Sequence, residues 1–179
     1  VKIRELYGEK QGHWIGIAPF SIARGKTLPF RKMKNIIAYF DKQPNTKIFL
    51  FGAGEMENEL LTDWQSLYQN VFAVHTNLRL DDELALMNFL DVMLCMDSAN
   101  MHLASLMGVK VVSVWGATHP YSGFLGWRQS MDNCSSDKRN LLNHTILQNS
   151  LIILYLHFNI TVRLTYRNRI SIFIFHHYT

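Results

Sequence analysis

Asp97-Ser98, followed at His102 by an imidazole, sets an acid, a hydroxyl and a ring nitrogen within one short stretch. The stretch lies between two apolar runs, Asp91 to Met96 and Lys110 to Trp115, so it reads as the exit of a buried strand leading into a short helix. In open parallel sheets ligands bind outside the carboxyl ends of the strands. A helix N-terminus there offers free N–H groups and a favourable dipole to an anion. These residue types therefore suit a polar, phosphorylated ligand. The bland alternatives are a capping role for Asp97 or Ser98 and a satisfied core histidine at His102. Lys26, in the loop Arg24-Gly25-Lys26, can neutralise a phosphate as a point charge or simply be solvated. Ser21 can donate to the same phosphates or stabilise a turn. Gly52-Ala53-Gly54-Glu55 joins a strand to a helix as a nucleotide-binding turn would, without being a GxGxxG run. Glu55, with Glu57 as its rival, either serves a ligand or complements the helix N-terminus. His119, between Thr118 and Pro120, reads as an exposed loop histidine rather than a base.

The elements that must position these groups alternate regularly. Trp14 to Phe20, Thr46 to Phe51, Val71 to Val74, Asp91 to Met96 and Lys110 to Trp115 are short apolar runs, as in strands of a parallel sheet covered on both faces. Between them, Met33, Ile36, Ile37 and Phe40 recur at helical spacing after Pro29 or Phe30. Met56, Leu60, Leu61, Trp64 and Leu67 form a second inward stripe, and Leu84, Met87 and Leu90 a third behind the acidic turn Asp81-Asp82-Glu83. Alternating strands and helices of these lengths predict an α/β, Rossmann-like parallel sheet without internal repeats.

Asp97-Ser98-Ala99, His102-Leu103-Ala104, Gly108, the run VVSVWG and Thr118-His119-Pro120 resemble glycosyltransferase family 9, which holds the ADP-heptose:lipopolysaccharide heptosyltransferases. The resemblance runs from about Trp14 to Trp127 and implies the C-terminal, donor-binding half of a two-domain GT-B enzyme. Ala99 stands where that family usually has Gly. The resemblance assigns the donor site to Ser21, Lys26, Glu55, Asp97, Ser98, Ala99 and His102. Lys26 and Ser21 would meet the diphosphate, Glu55 the adenosine, Asp97 ribose or sugar hydroxyls, and His102 the phosphate or sugar. It implies an ADP-heptose donor, a lipopolysaccharide core acceptor, an inverting transfer and no cofactor or metal. The general base would be an aspartate of the N-terminal half, so the catalytic residues of this chain are unknown and the chain alone is expected to be inactive. A GT-B enzyme using a UDP- or GDP-sugar, or a non-catalytic remnant, are the alternatives.

Composition bounds the rest. With 179 residues the chain can build one domain with a core but not two full Rossmann-like halves. Val1 at the start suggests a truncation, and no signal segment precedes the first strand. A formal net charge of +4 suits an anionic nucleotide-sugar or an acidic lipid surface; no nucleic-acid partner is expected. Cys95 and Cys134 make neither a disulfide framework nor a metal set, which favours a reducing, cytoplasmic setting; the family resemblance implies at most peripheral contact at the inner membrane. Every Gly and Pro lies at or before Gly126, and residues 128–179 contain no Gly, Pro, Ala or Glu. The expected division is a nucleotide-sugar domain over 1–127 and an atypical tail over 128–179, read as a frameshift product or as an unusual β-rich extension. The apolar run LIILYLHFNI within the tail is too short to span a membrane.

Overall fold

The short apolar runs are strands. In this computed structural model, which describes residues 2–136, β1 (His13–Ala18), β2 (Thr46–Leu50), β3 (Val71–Ala73), β4 (Val92–Met96), β5 (Val111–Trp115) and β6 (Cys134–Ser136) share one sheet. Its order is β3-β2-β1-β4-β5-β6, and every pairing is parallel, with Ile15 of β1 opposite Ile48 of β2 and Val92 of β4. The strand order reverses between β1 and β4, which opens a crevice at their carboxyl ends. The expected tail lies outside the described residues from 137 on.

Period-two alternation divides the strand residues between two cores. Ile15, Ile17, Ile48, Leu50, Leu94 and Val112 pack on one face with helices α2 (Phe30–Asp41) and α3 (Glu55–Ser66). Trp14, Phe49, Met93, Cys95 and Val111 pack on the other with α1 (Lys2–Tyr7), α4 (Leu80–Met87) and α5 (Ala99–Leu106). Helix α2 buries Met33, Ile36, Ile37 and Phe40 as its spacing predicts. In α3 the stripe narrows: Leu61 and Trp64 are buried, whereas Met56 and Leu67 are 79% and 59% exposed. Those two sit at the helix ends, off the line of side chains that faces the sheet. Helix α4 carries the acidic first turn Asp81, Asp82 and Glu83, and the Asp82 carboxylate accepts the Arg79 N–H at 3.4 Å. Helix α1 was not legible in advance, being shorter than two turns. It is held by burial of Ile3 and Tyr7, whose ring lies 5.0 Å from Phe49 and 5.5 Å from Phe72, and by an ion pair from Lys2 to Asp82.

The sheet continues beyond Trp127, where the composition changes. Gln129 accepts the Val111 N–H at 2.9 Å and donates to the Val109 carbonyl at 3.0 Å, so its amide stitches the entry of β5 to the segment leading into β6. Just before it, Gly126 is buried against α5. A Cβ there would fall 2.0 Å from Ser105 Oγ and 2.9 Å from Ser105 Cβ. Among the described residues no helix is long and apolar enough to cross a membrane. Substitution of Gly126 by Ala should therefore overpack the α5 edge and cost about 1–3 kcal/mol, read as a lower urea midpoint without loss of the α/β circular-dichroism signature. An unchanged midpoint would show that α5 and this segment are not in the contact described.

Candidate functional site

Three strand exits meet at one carboxylate. Asp97 follows the last residue of β4 and is only 6% exposed. Lys26, in the loop after β1, donates from Nζ to Asp97 Oδ2 at 2.7 Å. Thr118, in the loop after β5, donates from Oγ1 to the same oxygen at 2.6 Å. Ser21 Oγ donates to the Asp97 backbone carbonyl at 2.8 Å. The two flanking loops are joined directly, the Ala117 N–H donating to the Gly25 carbonyl at 3.0 Å. Chain separations of more than seventy residues are thus closed at the crevice between β1 and β4, the position at which open α/β sheets bind ligands. A desolvated carboxylate is costly unless it is paired and hydrogen-bonded; here it is both.

Ser98 and Ala99 begin the next element. Ser98 is the N-cap residue of α5 in extended conformation, yet its hydroxyl makes no capping bond, and Ser98 Oγ is enclosed without a hydrogen-bond partner among the described residues. Ala99 is the first helical residue and is exposed, with no positive φ, so an alanine meets no conformational penalty there. His102 lies one turn further along α5, exposed, rather than in the core. Ser21, Lys26, Asp97 and Ser98 are therefore drawn together, with His102 on the same helix as Ser98.

Glu55 stands apart. It opens α3 after β2, with Gly54 at φ 83° making the turn, and β1 separates β2 from β4. Its rival Glu57 turns back on the loop, Oε2 accepting the Ala53 N–H at 2.9 Å, and so serves its own turn. Glu55 instead borders a cavity of about 490 Å³ lined also by Asn58, Glu59, Thr62, Asp63 and His75. His119 Nδ1 accepts the Tyr121 N–H at 3.2 Å, and its ring stacks on Tyr121 at 4.7 Å, which ties it into its own turn. Burial raises the Cys95 and Cys134 thiols above their ordinary range, so neither is a ready thiolate. Among the described residues no three His, Cys, Asp or Glu side chains are grouped to hold a metal ion. Sequence reasoning treated Thr118 only as part of a loop pattern and gave Phe124 no place at all. The Thr-x-Pro spacing was the one signal for the first, and a lone phenylalanine in a polar loop carried none for the second.

The parallel sheet with helices on both faces is an α/β, Rossmann-like domain whose β1–β4 switch point carries a cation and a helix N-terminus. The profile of glycosyltransferase family 9 (heptosyltransferase) matches residues 4–149, and the chain belongs to that family. Solved structures agree in fold. Escherichia coli heptosyltransferase WaaC with ADP is 15% identical, TM-score 0.66, over 82% of this chain and 45% of that one. E. coli ADP-heptose lps heptosyltransferase II is 16% identical, TM-score 0.67, over 90% and 51%. A family 9 glycosyl transferase from Veillonella parvula DSM 2008 is 19% identical, TM-score 0.63, over 90% and 48%. The chain thus spans about half the length of these structures. No curated protein sequence matches it.

Lys26→Met leaves Asp97 desolvated and short of its cation, and should cost about 1–3 kcal/mol of stability; adding Asp97→Asn should recover part of that loss, and strict additivity of the two in urea unfolding would deny the coupling. Burial pushes the His75 imidazole below its ordinary value, with Nδ1 enclosed and without a hydrogen-bond partner among the described residues and Nε2 3.3 Å from Thr62 Oγ1. The unfolded chain then binds the proton more readily than the folded one. The His75 contribution is therefore present above about pH 6.5 and is lost as the pH falls below it. His75→Gln should flatten the decline in melting temperature between about pH 7 and pH 5, and an unaltered profile would discount this account.

Proposed function

We propose that this chain is the donor-binding half of a heptosyltransferase and takes an ADP-sugar, ADP-heptose in particular. The observation that carries the reading is the convergence of Lys26, Ser21 and Asp97 at the β1–β4 switch point beside the start of α5. In this reading the diphosphate lies between the Lys26 ammonium and the first-turn N–H groups of α5 at Ser98 and Ala99, with Ser21 as a further donor and His102 beside it. Asp97 accepts from sugar or ribose hydroxyls, and Glu55 from the ribose of the adenosine. WaaC was solved with ADP and with ADP-2-deoxy-2-fluoro heptose, which supports a donor of this chemistry.

The chemistry is an inverting transfer, in which an acceptor hydroxyl of the lipopolysaccharide core attacks the anomeric carbon as the nucleoside diphosphate departs. Positive charge and aligned N–H dipoles at the departing diphosphate lower that barrier, and these are what Lys26 and α5 offer. The base that takes the acceptor proton belongs to the other half of the enzyme, so the chain alone binds without transferring. We place it in the cytoplasm, peripheral to the inner membrane where the acceptor is made.

Calorimetry of the full chain should show ADP binding well ahead of UDP and GDP, and Lys26→Ala should weaken ADP by about tenfold or more, as expected for loss of a charge-assisted contact. Equal binding of UDP or GDP would favour another GT-B donor. No binding of any nucleotide would leave a non-catalytic remnant. Heptosyl transfer by the chain alone would refute the assignment of the base to the other half.

A further inference from the structure

We infer that the loop after β5 positions the Lys26 ammonium for its anion through Thr118 and Phe124, two residues that act on Lys26 rather than on the ligand. The inference rests on the donor reading for what Lys26 binds, but the contacts themselves do not. Lys26 Nζ has Asp97 Oδ2 at 2.7 Å on one side and the Phe124 ring, centroid at 5.8 Å, on another. Thr118 Oγ1 donates to that same Asp97 oxygen at 2.6 Å and so fixes the carboxylate to which the ammonium is bound. The loop is itself anchored: Pro120 is buried, Gly123 turns at φ 84°, and Ala117 N–H is bonded to the Gly25 carbonyl next to Lys26.

A lysine stem has four rotatable bonds and a compact charge with no preferred plane. One carboxylate contact leaves it free to swing, and that freedom is lost again when an anion binds. A carboxylate held by a second donor, together with a ring face that attracts cations, restricts the ammonium before the anion arrives and so lowers the cost of binding. The Phe124 ring is 50% exposed, so it borders the crevice without being required by the core. Thr118 is suited to its role by its hydroxyl alone.

The test uses the full chain and two readouts. Acetic anhydride labelling, followed by mass spectrometry and referenced to the exposed Lys110, reports how far the Lys26 ammonium is held without any ligand. Affinity for ADP relative to adenosine reports whether that hold serves the diphosphate. Thr118→Val and Phe124→Leu should each speed Lys26 labelling and cut the advantage of ADP over adenosine by about two- to fivefold, the scale of one such contact. Thr118→Ser should restore both, which a merely steric role for Thr118 would not. Unchanged Lys26 labelling in both variants overturns the inference, as does faster labelling with the ADP advantage intact. If the unmutated chain shows no ADP advantage, the donor reading fails, and the labelling alone decides whether the loop holds Lys26. Should Thr118→Val not fold, Phe124→Leu, at a half-exposed position, carries the decision.

Discussion

A carboxylate that is 6% exposed at the end of a central strand must be compensated from outside its own strand, because β4 offers it nothing but apolar neighbours. The nearest sources are the loops that leave β1 and β5, the strands flanking β4 in the sheet. Each supplies one donor to the same oxygen, an ammonium from Lys26 and a hydroxyl from Thr118. The requirement to satisfy Asp97 thereby helps fix the course of two loops whose own regular structure is a single short 3-10 turn each, Arg24–Lys26 and Pro120–Ser122. It also explains the backbone bond between Ala117 and Gly25, which closes the gap left between those loops. Placing Gly at 25 keeps that approach open, since even a Cβ would come within 3.1 Å of Ala117 Cβ. The cation at the crevice is thus explained by the buried acid it pairs with.

What was legible in the sequence follows the range of the interactions. Strands with alternating residues bound for opposite faces, such as Trp14-Ile15 and Met93-Leu94, announce themselves because burial on both faces demands an unbroken apolar run. Helix α2 announces itself because its buried residues recur at one period. Helix α1 does not, since six residues hold too few repeats for a period and its place is set by contacts of Tyr7 with Phe49 and Phe72 far along the chain. β6 fails for a related reason. Three residues with two serines and a half-buried cysteine carry no pattern, and the strand exists because the edge of β5 is there to pair with it. In the site, what the sequence made legible was position: the apolar runs place Asp97 and Ser98 just past one strand and Lys26 in the loop after another. The roles of Glu57 and Thr118 were not, because a side chain that turns back on its own loop and one that reaches another strand's exit look alike in one dimension.

The start of α5 shows how the same constraint shapes the helix N-terminus at the crevice. A helix leaves its first N–H groups without internal partners, and Asp or Ser just ahead of it ordinarily supplies an acceptor. Here both candidates are diverted. The Asp97 carboxylate is engaged by Lys26 and Thr118, and the Ser98 hydroxyl makes no capping bond although its backbone has the extended conformation of an N-cap. Ala99 contributes no polar side chain, and its non-positive φ leaves the helix start regular. The first turn of α5 therefore presents its N–H groups uncapped by side chains, next to an ammonium already held in place. Had Asp97 capped the helix instead, its negative charge would sit against the positive end of the helix dipole, and Lys26 would lose the carboxylate it pairs with. Pairing the acid with the lysine leaves the start of α5 without a side-chain cap, so the positive end of that helix dipole is not screened by a carboxylate of its own.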